Sequence, residues 1–292
     1  MAALSSKSRS LSPAWLWLIP AFALLVPLFL FPLLLILRYS FNLDTDAGLF
    51  IPAFSFANYA KILTDPFYIR VFLNSLWVAA GVSVTCLVLG FPFAWFVVRW
   101  SRRSRIILLW AVYTPLIVSV IVRVYGWMVV TSDSGLINSI AMSLGLTDTP
   151  WKILYETEGM WIGLVHRYLP LAVLPLVNAL AKIDLTLTQA ARNLGATPRR
   201  AFWTLVVPLM LPGFVAGFQL VLANVLSDFV IPTLMGTTRF QMIAPAIYNE
   251  AMGRVNWAMS AAMAVMVLLI MGVLLASTNV VLRRLAPWAR SV

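Results

Sequence analysis

The chain has one cysteine and one histidine in 292 residues. A single cysteine, Cys86, excludes an intrachain disulfide. One thiol and one imidazole, that of His166, leave too few soft ligands for an ordinary zinc site, so no metal centre is expected. Charge is also scarce. Only 11% of residues are charged, against about 25% in an average soluble domain. That deficit excludes a soluble globular protein of ordinary composition. Missing too are the phosphate-cradling G-x-x-x-x-G-K-[ST] loop, an H-E-x-x-H pair and any plausible nucleophile–base pair. No catalytic residue and no cofactor are expected. The chain carries no low-complexity segment and no internal repeat with a period of about 20–50 residues.

Apolar sequence takes the place of all this. Hydrophobic residues make up 62% of the chain, and the mean hydropathy is +0.92. A helix that crosses a bilayer needs about 20 predominantly apolar residues. Six segments qualify: 15–37, 71–98, 106–130, 160–181, 209–234 and 257–282. The expected fold is an all-α integral membrane protein of about six transmembrane helices. Short tails at 1–14 and 283–292 flank the membrane domain at 15–282, and no soluble domain is left over. The first apolar run exceeds the about 7–15 residues of a signal-peptide core, so it reads as an uncleaved helix. Pro27, Pro32, Pro92, Pro115, Pro170 and Pro175 lie inside spans, where membrane helices tolerate them as kinks.

The net charge of +11 does not point to nucleic acid, because the basic residues punctuate the apolar spans instead of forming a domain. If the N-terminus is cytoplasmic, the inner segments hold Lys7, Arg9, Arg99, Arg102, Arg103, Arg105, Lys182, Arg192, Arg199, Arg200, Arg283, Arg284 and Arg290. The outer segments hold Arg38, Lys61, Arg70, Lys152, Arg239 and Arg254. Positive charge favours the cytoplasmic side, which places both termini inside.

The longest inner connection, 182–208, is amphipathic. Thr188 is a plausible N-cap for a short helix through Leu194, with Gly195 at its C-terminal end. Thr197-Pro198 reads as the cap and first position of a second helix, and Pro208 and Pro212 bracket the entry to the fifth span. Two short helices meeting at a glycine, with Ala190 and Ala191 on one face, suit a groove on a soluble partner. The alternative is a helix lying on lipid headgroups.

Ionisable groups inside a bilayer are costly and point to function by default. Asp228 is the only carboxylate well inside an expected span, near Asn224 and Ser227. It either lines a pathway that meets an ammonium group or pairs with Arg123 or Arg167. Tyr125 and Trp127 follow Arg123 and form either an aromatic wall favourable to cationic amines or part of an interfacial belt. His166 reads as a packed, hydrogen-bonded group. Asn249 and Glu250, in the last outer loop, either touch a docked protein or are solvated.

Gln189-Ala190-Ala191-x-x-x-Gly195, continued through Leu205, Val207-Pro208-Leu209 and Leu211-Pro212-Gly213, resembles the coupling motif of permeases from binding-protein-dependent ABC importers. Further strings fall where polyamine-type permeases carry similar ones. They are Asn58-Tyr59, Gly90-Phe91-Pro92-Phe93-Ala94-Trp95, Arg123-Val124-Tyr125-Gly126-Trp127, Leu146-Thr147-Asp148-Thr149-Pro150 and Ser227-Asp228-Phe229-Val230-Ile231-Pro232. The resemblance runs from about Phe56 to Leu275 and is to the spermidine/putrescine branch.

It implies a type I importer permease in a bacterial cytoplasmic (inner) membrane, working by alternating access. The implied partners are a related but different second permease chain, a cytoplasmic ATPase dimer and an extracytoplasmic solute-binding protein. The cargo would be a small polar or cationic solute. On this chain the coupling residues become Gln189, Ala190, Ala191, Asn193, Leu194, Gly195, Ala196, Pro198, Phe202 and Pro208. Gln189 departs from the glutamate usual in the family. The pathway candidates are Asp228, Tyr125, Trp127, Asn224 and Arg123. Relatives in this branch are also assigned to opines and phosphonates, which stand as alternative solutes. An ion-coupled secondary transporter would instead favour inverted repeats and several buried carboxylates, and a membrane enzyme has no catalytic set to support it.

Overall fold

The computed structural model describes residues 14–44, 51–237 and 239–285. Lys7, Arg9 and Arg290 lie outside the described residues, as do the expected tails except for Ala14 and residues 283–285. No strand forms among the described residues, and the one β contact is an isolated bridge between Leu43 and Ile51. Six helical stretches are long and apolar enough to cross a membrane: Phe22–Tyr39, Pro66–Arg99, Val120–Ser143, Thr157–Ala181, Pro198–Leu226 and Trp257–Arg284.

Helix α1 (Ala14–Tyr39) contains Pro20, Pro27 and Pro32. Most of its described apolar side chains are open, with Leu28 and Phe29 65% and 68% exposed. Such a helix is stable only where hydrocarbon or another apolar surface covers it. Polar groups fix its C-terminal end to α2 (Ala57–Thr64). The Asn58 amide donates to the Ser40 and Asn42 carbonyls at 3.0 and 2.8 Å, and the Tyr59 and Ser40 hydroxyls lie 2.6 Å apart. Helix α3 (Pro66–Arg99) begins earlier than the expected 71 because Asp65 caps it. The Asp65 carboxylate accepts from the Phe67 N–H at 2.8 Å, and Pro66 occupies a first-turn position where its missing N–H costs nothing.

The third span departs from expectation. Instead of one helix over 106–130, the chain forms α4 (Arg102–Ile117) and α5 (Val120–Thr131). The break at Val118 and Ser119 is extended, with ψ of 138° and 134°. Pro115 leaves a carbonyl without its helical donor, and the β-branched pair Ile117-Val118 follows directly, which disfavours continuing the helix. The short helix α6 (Leu136–Ser143) lies beyond α5.

Helix α7 (Thr157–Ala181) packs against α3 and against the helix that opens the fifth span. Apolar side chains gain little from leaving lipid for protein, so close backbone approach has to supply the attraction. Small residues make that possible: Gly213 and Gly217 lie one turn apart and face α7. A Cβ added at Gly213 would stand 2.5 Å from Ala179 Cβ and 3.1 Å from the Pro175 carbonyl oxygen. Val78, Val82, Met160, Leu164, Val221 and Val225 are fully buried in this three-helix core.

Between spans four and five lie α8 (Leu185–Asn193) and α9 (Pro198–Ala201), then a π-helical turn at Phe202–Val206 and α10 (Val207–Leu226). The second short helix and the fifth span are therefore one continuous rod, Pro198–Leu226, where two separate pieces were expected. The π turn has a local cause. Pro208 has no N–H to give the preceding turn, and the Val207 N–H reaches back to the Phe202 carbonyl, closing the wider ring.

The rod stops at Leu226, short of the expected 234. Ser227 Oγ donates back to the Ala223 and Asn224 carbonyls at 3.0 and 3.1 Å, which competes with further helix. Asp228 then caps a new short helix, α11 (Val230–Met235). Helix α12 (Ile243–Tyr248), a π-helical turn at Asn249–Gly253 and α13 (Trp257–Leu285) complete the described chain.

Candidate functional site

The connection at 182–208 folds as an exposed elbow. Its first helix is capped by Asp184, one turn before the expected Thr188, which lies inside α8. The Asp184 carboxylate accepts from the Thr186 N–H at 2.9 Å. That bond and a second one from the Thr186 side chain hold Asp184 below the usual carboxylate range. At the other end Gly195 has φ +88°, a conformation that costs a residue with a Cβ about 1–2 kcal/mol. The Gly195 N–H donates to the Arg192 carbonyl at 2.9 Å and the Ala196 N–H to the Ala191 carbonyl at 3.0 Å. This is a Schellman closure, and it turns the chain sharply. Thr197 caps α9 as expected, accepting from the Arg200 N–H at 3.3 Å, with Pro198 in the first turn.

Gln189, Ala190, Asn193 and Gly195 are exposed, and Ala191 and Ala196 are half-buried. Leu194 projects at the apex, 89% exposed, and Trp203 is 60% exposed. These open apolar side chains lie beside the exposed Arg192, Arg199 and Arg200. The inner side of the elbow is anchored. Phe202 packs edge-on against Trp95 with ring centroids 5.2 Å apart and against Phe91 at 5.9 Å. The Arg99 guanidinium lies 3.4 Å above the Trp95 ring. The string Gly90–Trp95 is thus the seat on α3 for the start of the rod that becomes α10.

The structure does not gather the polar candidates within the spans into one site. Asp228 is 4% exposed and fully engaged. Its Oδ1 accepts from the Val230 and Ile231 N–H groups at 2.9 and 3.3 Å. Its Oδ2 accepts from the Tyr168 hydroxyl at 2.8 Å and lies 3.6 Å from Arg167 Nε. The partner is therefore Arg167, and Arg123 forms no ion pair with it. Arg123 and Trp127 sit with His166 and Arg167 around a cavity of about 10 Å³, room for about one water molecule. Within it, Arg123 Nε and Nη1 and Arg167 Nη1 are buried without an acceptor among the described residues. His166 packs as expected, its ring edge-on to Trp127 with centroids 5.4 Å apart. Tyr125 turns outward, 55% exposed, and the Asn224 amide donates to the Leu220 carbonyl at 2.7 Å.

Two polar arrangements were not legible in the sequence. Glu250, expected at the surface, is 3% exposed. It accepts from the Tyr68 hydroxyl at 3.0 Å and from Arg254 at 2.9 Å, tying the loop before α13 to α3. The Gln219 amide donates to the Thr278 hydroxyl and, at 3.3 Å, to the Leu275 carbonyl and the Asn279 side chain, which clamps α10 to α13.

This fold defines a class. A chain in the crystal structure of a bacterial ABC transporter involved in the import of the acidic polysaccharide alginate superposes with a TM-score of 0.71. The match covers 93% of this chain and 97% of that one at 18% identity. The bacterial alginate ABC transporter in complex with an alginate pentasaccharide-bound periplasmic protein gives the same TM-score over 94% and 96%. The fold is that of a chain of this bacterial ABC transporter, with six helical stretches of membrane-crossing length among the described residues.

No protein-family model matches the chain, but individual relatives narrow the class. The chain is 36% identical over 249 residues to the spermidine/putrescine transport system permease protein PotB of Salmonella typhimurium (strain SL1344), covering 85% of this chain and 86% of that protein. Against PotB of Escherichia coli (strain K12) it is 35% identical, covering 85% and 90%. Against PotB of Haemophilus influenzae it is 30% identical over 254 residues, covering 87% and 88%. The chain belongs to the family of spermidine/putrescine transport system permease proteins.

Proposed function

We propose that this permease carries spermidine and putrescine across a bacterial inner membrane, with both termini on the cytoplasmic side. A separate ATPase pair docks on the elbow at 185–206. A second, related permease chain completes the pathway, and an extracytoplasmic binding protein delivers the solute. The names of the relatives support the solute. The observation that carries the coupling role is the continuity of the rod Pro198–Leu226. A displacement passed through the Gly195 turn to Pro198 runs along the rod with no further break in the helix, steered by Phe202 in its seat on Phe91 and Trp95.

Gln189, Ala190, Ala191, Asn193 and Leu194 form the face offered to the ATPase. Gly195 and Ala196 make the turn, Pro198 starts the rod and Pro208 sets its π turn. Within the spans, Tyr125 and Asn224 face the pathway. Arg123, Trp127 and Asp228 shape its wall from behind.

Uptake of labelled spermidine and putrescine tests this in a strain without other polyamine importers, with the chain present, deleted or carrying Gly195→Val. The proposal expects high-affinity uptake only with the unaltered chain. Equal uptake in all three strains, with the variant still in the membrane, refutes it.

A further inference from the structure

A second cleft, of about 350 Å³, lies between α11, the loop after it and α12. Its walls are aromatic and apolar. Phe229 and Tyr248 stand with ring centroids 4.8 Å apart, and Phe240, Pro232 and Pro245 line the remainder. Five neutral polar residues also line it: Thr233, Thr237, Gln241, Tyr248 and Asn249. The Thr233 hydroxyl donates to the Phe229 carbonyl at 2.6 Å and the Thr237 hydroxyl accepts from the Arg239 N–H at 3.4 Å, whereas the side chains of Gln241, Tyr248 and Asn249 make no hydrogen bond to another described residue. Among the described residues, no charged one lines the cleft. The neighbouring Glu250 is turned away and committed to Tyr68 and Arg254.

This composition has a chemical counterpart. An alkyl polyamine carries only hydrogen-bond donors, spaced by methylene chains. It needs oxygen acceptors, ring faces that attract cations and apolar walls for the methylenes. The cleft offers all three. Its volume lies near the lower end of the range of about 300–1,000 Å³ for small-molecule sites, which suits a slender linear amine. The absent carboxylate has a function in this setting, because a site on a transport pathway must release what it receives. A carboxylate would hold a polyammonium ion too long.

The position agrees. The cleft lies between the end of α10 and the start of α13, on the extracytoplasmic side in the proposed orientation. We infer that it is a low-affinity receiving site for alkyl-ammonium cargo, filled as solute leaves the binding protein and before it enters the spans. The inference rests on the polyamine reading and adds to it a place and a binding chemistry.

The test uses the complete importer in liposomes, with ATP, the loaded binding protein and labelled spermidine. In Tyr248→Ala the spermidine moved per ATP hydrolysed falls about fivefold, from the loss of one cation–ring contact. In Gln241→Ala it falls about threefold, from the loss of one acceptor. Tyr248→Phe, which keeps the ring but loses one acceptor, falls about threefold, less than Tyr248→Ala. ATP hydrolysis stimulated by the loaded binding protein is unchanged in all three. If Tyr248→Ala does not assemble, Gln241→Ala carries the test alone.

Unchanged coupling in the assembled variants overturns the inference. So does a fall in stimulated hydrolysis together with a greater requirement for binding protein, which assigns the cleft to a protein loop. A parent importer that moves no spermidine refutes the polyamine reading itself, and the inference falls with it.

Discussion

Arg167 Nε and Asp228 Oδ2 meet 3.6 Å apart where α10 gives way to α11. The Tyr168 hydroxyl donates to the same carboxylate oxygen, and the second oxygen caps α11. One aspartate therefore starts the helix that follows the fifth span and ties it to α7. Removing it leaves a half-buried guanidinium with no counter-charge. Asp228→Ala is expected to lower stability by about 2 kcal/mol. In a double-mutant cycle with Arg167→Leu, read as thermal unfolding of the detergent-purified chain, the second change costs less than it does alone. Strictly additive losses contradict the pairing.

Gly213 tests the close approach of α10 and α7. Because its added Cβ has no room beside Ala179, Gly213→Val is expected to cost about 2 kcal/mol and to lower the amount of folded chain. Gly272→Ala is the control, since nothing lies within 4 Å of its added Cβ. Equal unfolding temperatures for the two variants would show that the helices do not meet there.

At Gly195 the constraint is the backbone and not space, for its added Cβ meets nothing within 4 Å. Asn adopts the left-handed conformation more readily than a β-branched residue does. Gly195→Asn is therefore expected to retain most of the uptake and Gly195→Val to lose most of it, at equal levels in the membrane. The reverse order would mean that the turn is not set by φ.

Phe202→Ala unseats the rod from α3. The ring is half-buried, so a loss of about 2 kcal/mol is expected. The functional reading is sharper: ATP hydrolysis by the assembled importer continues while solute transport falls severalfold. A proportional fall in both would place Phe202 in assembly and not in transmission.

These relationships differ in how far the sequence foretold them. Six apolar runs of crossing length, the Gly195 turn and the Thr197-Pro198 start all follow from local rules, and all are legible. The breaks at Val118–Ser119 and Ser227–Phe229 are not, because average hydropathy stays high across a two- or three-residue interruption. The cap at Asp184 was open to reading, but the amphipathic pattern drew attention to Thr188 one turn later. Glu250 looked like a surface acid because its partner, Tyr68, lies 182 residues away in the chain. The choice of Arg167 over Arg123 for Asp228 likewise depends on which helix faces reach α11, and no spacing rule supplies that.

The most direct test of the central claim is ATP-driven accumulation of labelled spermidine in liposomes. These carry this chain with its second permease and ATPase, and the loaded binding protein is added outside. The account predicts accumulation that needs ATP, the binding protein and this chain together, and that Gly195→Val abolishes without removing the chain from the complex. Accumulation without this chain, or none with the complete set, would contradict it.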